Sequence, residues 1–254
     1  MKKYTLFFFL AILAVSCSEV ISLNDKTSQE QGTRTAFVQD AIFKCIPGTK
    51  EWAKLRGIEA LKENSQIKTE ILVGMSDEDL ANSLLDYPLA YHYTAFENER
   101  SFVDGIMTSF NGLNELLKRQ NGFGAIVKCY EKIKYIPEDK VEKAYNKSTS
   151  FNLGFLELIL SNDLMLEKAQ EDELNHLKEA SLAKYEMKIS HPEYFGILSV
   201  KRSLMLCAVV AMKKDLIKDE NNRKKIYDFS KSYYLPSFND ELTALSQIIM
   251  DSLK

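Results

Sequence analysis

The chain is poor in the residues that punctuate β-structure. Ten glycines and five prolines are scattered over 254 residues, too few for a turn-rich sandwich or barrel. No sustained alternation of apolar and polar residues marks a strand, and no strand–helix alternation marks an α/β sheet. Tryptophan occurs once, at Trp52. There are four cysteines, Cys17, Cys45, Cys129 and Cys207, with no C-x-x-C pair. That spacing excludes a disulfide scaffold and the paired ligands of a zinc site. No excess of one charge is present either. The formal net charge is −3, which offers no footprint for nucleic acid. G-x-S-x-G, H-E-x-x-H and the phosphate-binding P-loop are all missing. Gly122-Phe123-Gly124 lacks the third glycine and the preceding strand of a dinucleotide fingerprint. No hydrophobic run reaches the roughly 20 residues that span a bilayer: Leu204–Met212 falls short, and the longest, Leu6–Val15, is about half that length.

That one run is informative. Lys2 and Lys3 precede LFFFLAILAV, and small residues follow at Ala14 and Ser16. A charged n-region, an h-region and a small-residue site make a secretory signal over 1–16. Leu13-Ala14-Val15-Ser16-Cys17 resembles the lipobox of bacterial lipoproteins, with Ala14 where a large aliphatic residue is usual. The resemblance implies cleavage before Cys17 and diacylglycerol on its sulfur. Ala14-Val15-Ser16 also fits an ordinary small-x-small site, which would release a soluble protein. Two or three acyl chains would make membrane attachment effectively permanent. Residues 17–35 then read as the lipidated cysteine and a polar tether, and 36–254 as the globular part, with a possible subdivision near 135–137.

In 36–254 the period is helical almost throughout. Trp52, Leu55, Ile58 and Leu61 mark one helix. Ser76 with Asp79 resembles a capping box opening another, which Pro88 should end nearby. Phe102, Val103, Ile106, Met107 and Phe110 mark a third, ended by Asn111-Gly112. Leu113, Leu116 and Leu117 start a further turn, and Ile126, Val127 and Tyr130 follow the glycine pair. Pro137 suits a helix start. Segments 151–166, 171–187, 194–217 and 240–253 complete a pattern that predicts an all-α fold, an irregular array or bundle of roughly eight to ten short antiparallel helices. No repeat at a fixed spacing supports a solenoid.

Leu84–Ala95 (LLDYPLAYHYTA) followed by Phe110–Arg119 (FNGLNELLKR) resembles a block of Bacteroidota envelope proteins of unknown function, and 155–185 broadly follows the same kind of helical protein. The resemblance implies an all-helical lipoprotein of a Bacteroidota outer membrane, on its periplasmic or cell-surface face. It transfers no activity and no catalytic residues. Asp251-Ser252-Leu253 resembles the O-glycosylation acceptor of that group, a tripeptide frequent by chance.

Each chemical candidate has a plain alternative. Glu173 and His176 form an E-x-x-H, half of a di-iron motif, but no second copy exists and a solvated helix face explains it. His191 precedes Pro192 at a helix break. His92 sits among Tyr87, Tyr91 and Tyr93, as a core histidine or a surface one. The acidic clusters 77–79 and 171–173 suit helix N-termini. Tyr87, Tyr91, His92, Tyr93, Tyr233 and Tyr234 are the candidate binding residues, since aromatics beside Pro88 and Pro236 suit protein or sugar contacts. Gap-filling between helices is the plainer account. No catalytic, cofactor or metal set emerges. The expectation is a lipid-anchored, non-enzymatic envelope module that binds a protein or, less readily, a glycan. A cryptic hydrolase using His92 or His176, and a structural companion of an outer-membrane complex, are the alternatives.

Overall fold

A computed structural model describes residues 42–96, 98–136, 143–231 and 240–254. Residues 44–254 form one compact unit. Cys17, the leader, the tether and the proposed helix start at Pro137 lie outside the described residues, as do Tyr233 and Tyr234. Among the described residues the fold is all-helical, with ten α-helices of seven residues or more and no strand. A short 3-10 turn, η1 (Trp52–Lys54), precedes α1 (Gly57–Asn64), α2 (Thr69–Leu72) and α3 (Asp77–Ser83). A second 3-10 turn, η2 (Ala90–Ala95), leads to α4 (Glu99–Ser109), α5 (Asn111–Lys118), α6 (Gly122–Lys132) and α7 (Lys143–Leu160). Then come α8 (Asp163–Leu166), α9 (Glu171–Ser190), α10 (Ile197–Lys213), α11 (Glu220–Lys231) and α12 (Asp240–Leu253).

The centre is α10. Every residue from Ser199 to Ala211 is buried, as expected for a helix apolar on nearly all sides. It packs against α7, α9, α11 and α12, while α6 joins α3, α5, α7 and α9. The helix begins at Ile197 rather than Tyr194. Gly196 serves as its N-cap residue, and Tyr194 and Phe195 close a turn by donating their amides to the His191 carbonyl. It ends in a Schellman arrangement. Leu216 N donates to Ala211 O and Asp215 N to Met212 O, with Asp215 itself left-handed at φ 53°. Asp tolerates that region better than most residues, and Lys218 and Arg223 hold its carboxylate.

Caps fix the other boundaries. Ser76 Oγ accepts from Asp79 N at 3.1 Å, and Asn98 Oδ1 accepts from Ser101 N at 3.2 Å. Asn162 Oδ1 accepts from Leu164 N at 3.0 Å, splitting the expected 151–166 helix into α7 and α8. The Trp52–Leu61 helix is likewise split. Gly57 adopts φ 81°, a left-handed backbone that interrupts the run between η1 and α1. The glycine pair lies inside α6, where close packing needs it. A Cβ on Gly122 would sit 2.0 Å from the Leu116 carbonyl oxygen, and one on Gly124 2.3 Å from Glu173 Oε1. Glu173 meanwhile accepts from Gln170 N through Oε2 at 2.9 Å, so its carboxylate caps α9 while resting against α6.

Candidate functional site

Three features could carry function: a sealed polar centre, an open cleft and an exposed aromatic surface.

The polar centre is built around Glu157 of α7 and Lys188 of α9, neither of which exposes any side-chain surface (0%/0%). Lys188 Nζ donates to both Glu157 oxygens at 2.8 Å and to the Ser199 carbonyl at 3.0 Å. All three ammonium protons are therefore engaged. Glu157 Oε1 also accepts from Tyr130 Oη at 3.0 Å and from Ser203 Oγ. Burial pulls the Lys188 ammonium below its ordinary range, and Glu157 opposes that pull. Burial likewise pushes the Tyr130 phenol far up. The network ties α6, α7, α9 and α10 together and leaves no open coordination for a substrate. Arg202 extends it outward: its guanidinium grips Glu99, with Nε donating at 2.7 Å, and lies 5.0 Å from the Tyr93 ring centroid.

The cleft, of about 400 Å³, opens between α3, α6 and the first two turns of α9. Asn82, Lys128, Cys129, Glu131, Glu173 and His176 line it. His176 Nδ1 lies 3.3 Å from Glu131 Oε1, so the histidine meets this carboxylate instead of Glu173, its partner in the E-x-x-H pattern. Cys129 contacts Asn82 Oδ1 at 3.5 Å, and burial pushes its thiol up to about 11. A nucleophile at neutral pH needs the reverse shift, toward thiolate. Cys45, Cys129 and Cys207 are all free thiols and all buried. Among the described residues no group of three His, Cys, Asp or Glu side chains could hold a metal ion, and no helix is long and apolar enough to cross a membrane.

The aromatic candidates separate. Tyr87 is buried and stacks on Phe110 with centroids 4.1 Å apart. Tyr93 is buried too. Its hydroxyl donates to the Phe151 carbonyl at 3.1 Å, in space that the absent Cβ of Gly154 leaves open. Both rings fill gaps between short helices, so neither presents a contact surface. His92 is half-buried, and desolvation lowers its imidazole pKa. Tyr91 is the exposed member. Its ring meets Phe151 edge-on at 5.6 Å and its hydroxyl donates to Asn152 Oδ1 at 3.3 Å.

A second group lies at the junction of α9 and α10, around the His191-Pro192 break. Tyr135 stacks on His191 at 3.9 Å and tilts against Tyr194 at 5.4 Å. Beside them in the chain, Ile189, Ile197 and Leu198 leave 49%, 51% and 50% of their surface in solvent. Ser150, next to exposed Phe151, donates to Ser199, next to Leu198, at 3.1 Å. This contact joins the helices that carry the two exposed groups. The three aromatic rings are themselves half-buried, so the exposed surface here is aliphatic, of a kind that a partner can cover. The only hint in the sequence was the break at His191-Pro192, where a helix end brings periodic apolar residues to the surface. No family model, no curated protein and no solved structure matches the chain.

Proposed function

We propose that this chain is a lipid-anchored, non-enzymatic helical module that binds a protein partner at the cell envelope, of the kind found in Bacteroidota outer membranes. The observation that carries the binding half is the half-buried stack of Tyr135, His191 and Tyr194, with exposed Ile197 and Leu198 following in the chain. Tyrosine is enriched at interface hot spots, and the exposed aliphatic side chains beside it add apolar surface for a partner to cover. The anchor half rests on the lipobox-like Leu13–Cys17 and the preceding apolar run. A pull-down of tagged protein from mildly solubilised native envelopes tests the proposal, with Cys17→Ala and Leu198→Asp beside wild type. A stoichiometric partner captured by wild type and lost in Leu198→Asp is the expected result. A partner retained by that variant moves binding elsewhere, and no partner at all defeats the proposal.

A second reading, a hydrolase, is favoured by one observation: the cleft holds a histidine–carboxylate pair, His176 with Glu131. Such a pair can orient a general base. Ester, peptide and glycoside substrates screened against wild type and His176→Ala decide it, since a base-dependent activity must vanish in the variant. A constitutive structural companion differs from the first reading only in that its partner never dissociates.

A further inference from the structure

The N-terminal part of the compact unit departs from the rest in charge and packing. None of η1, α1 and α2 contributes a fully buried residue. Over Lys44–Arg56 the cations Lys44, Lys50, Lys54 and Arg56 are all exposed, against the single acid Glu51. None of the four forms an ion pair among the described residues. Arg56 instead donates to the carbonyls of Ala53 and Leu55, at 2.6 and 2.9 Å. The chain as a whole is nearly balanced, at net −3, so this stretch is locally basic. In its middle stands Trp52, half-exposed, with half-exposed Leu55 and exposed Ile58 after it.

Lysine and arginine heads with apolar stems, around an indole, match the boundary between phospholipid headgroups and acyl chains. The cations meet phosphates, and the indole sits at headgroup level with its N–H still hydrated. We infer that the Lys44–Arg56 surface contacts the membrane, laying this face of the globule on anionic phospholipid headgroups. The inference rests on the proposed lipid anchor for its location. The anchor would supply attachment, and the patch would supply orientation. An acidic protein would satisfy the cations equally well. Trp52, Leu55 and Ile58 favour lipid, because they ask for an apolar layer directly beneath the charge.

Trp52 is the only tryptophan, so emission excited selectively at the indole, beyond tyrosine absorption, reports this patch alone. The experiment uses the unlipidated chain from residue 18 onward, which contains the entire compact unit. It is titrated with vesicles of equimolar phosphatidylcholine and phosphatidylglycerol, and with phosphatidylcholine alone. The expected result is a blue shift and co-sedimentation with the anionic vesicles only, weakening with salt. Lys50→Glu with Lys54→Glu and Arg56→Glu should keep the helical circular dichroism and bind roughly a hundredfold more weakly. Leu198→Asp should bind like wild type. Anionic vesicles that leave Trp52 emission unshifted, or binding indifferent to the charge reversals, overturn the inference. So does an equal blue shift with polyglutamate, which would assign the patch to an acidic protein. The anchor is scored separately, by the mass of acylated Cys17 and by envelope fractionation of Cys17→Ala. Either result can fail while the other stands.

Discussion

Lys188 and Glu157 form a salt bridge with no solvent exposure on either side, 31 residues apart in sequence and at the meeting point of four helices. Desolvating two charges costs several kcal/mol each, and their attraction and hydrogen bonds only offset it. The pair therefore matters most when halved. Lys188→Met should lower unfolding free energy by about 3–5 kcal/mol, because Glu157 stays buried without its counter-charge. Adding Glu157→Leu should recover much of that loss, though Tyr130 and Ser203 forfeit an acceptor. Urea unfolding of the single and double variants measures both. A Lys188→Met variant as stable as wild type would refute the sealed geometry.

The two glycines of α6 should respond differently to alanine. At Gly122 the new Cβ meets backbone, the Leu116 carbonyl, which cannot step aside. Overpacking of that kind costs on the order of 1–3 kcal/mol or more. At Gly124 it meets the free end of the Glu173 side chain. Glu173 can swing out, and the loss is a helix cap, about 1 kcal/mol. Thermal unfolding should rank Gly122→Ala well below Gly124→Ala.

Burial raises the thiols of Cys129 to about 11 and Cys207 to about 12, from the usual 9.0. Native protein at neutral pH should alkylate slowly at both, and quickly only in denaturant. The linkage has a definite sign. Between pH 9 and 11 the unfolded Cys129 thiol has lost its proton and the folded one has not, so this group's stabilising contribution is full below 9 and lost toward 11. The advantage of wild type over Cys129→Ala should therefore shrink across that window, as urea midpoints at successive pH values would show.

Leu198→Asp should leave the unfolding midpoint nearly unchanged, within about 0.5 kcal/mol, since a half-exposed side chain away from special features carries little stability. It should nonetheless abolish partner capture. A large loss of stability would mean that Leu198 serves the core instead.

Much of the architecture could be read from apolar spacing. The last helix has the bounds the periodicity predicts, 240–253, and α4 carries the predicted Phe102, Val103, Ile106 and Met107 and ends just before Phe110. Helix α11 escaped because its buried residues, Ile226, Phe229 and Ser230, are sparse in a charged background. The break at Gly57 depends on a backbone angle, and periodicity carries no record of φ. The polar centre was half-visible, since Glu157 is a lone carboxylate in the apolar run FLELIL. Its partner lies in a charged helix and is identified only by folding. The exposed group at 189–198 eluded sequence analysis for the opposite reason: its isoleucines and leucine continue a core-like period past the point where the core ends.

The central position of α10 constrains when the protein can fold. Its outer sides are covered by α11 and α12, the last described helices, with Leu242, Leu245, Ile249 and Leu253 buried in the closing layer. A nascent chain cannot complete this core until α12 has left the ribosome. Up to that moment α10 has nothing to shield its apolar sides on the α11 and α12 flanks. Late closure of this kind keeps the chain open until its C-terminal segment has been made.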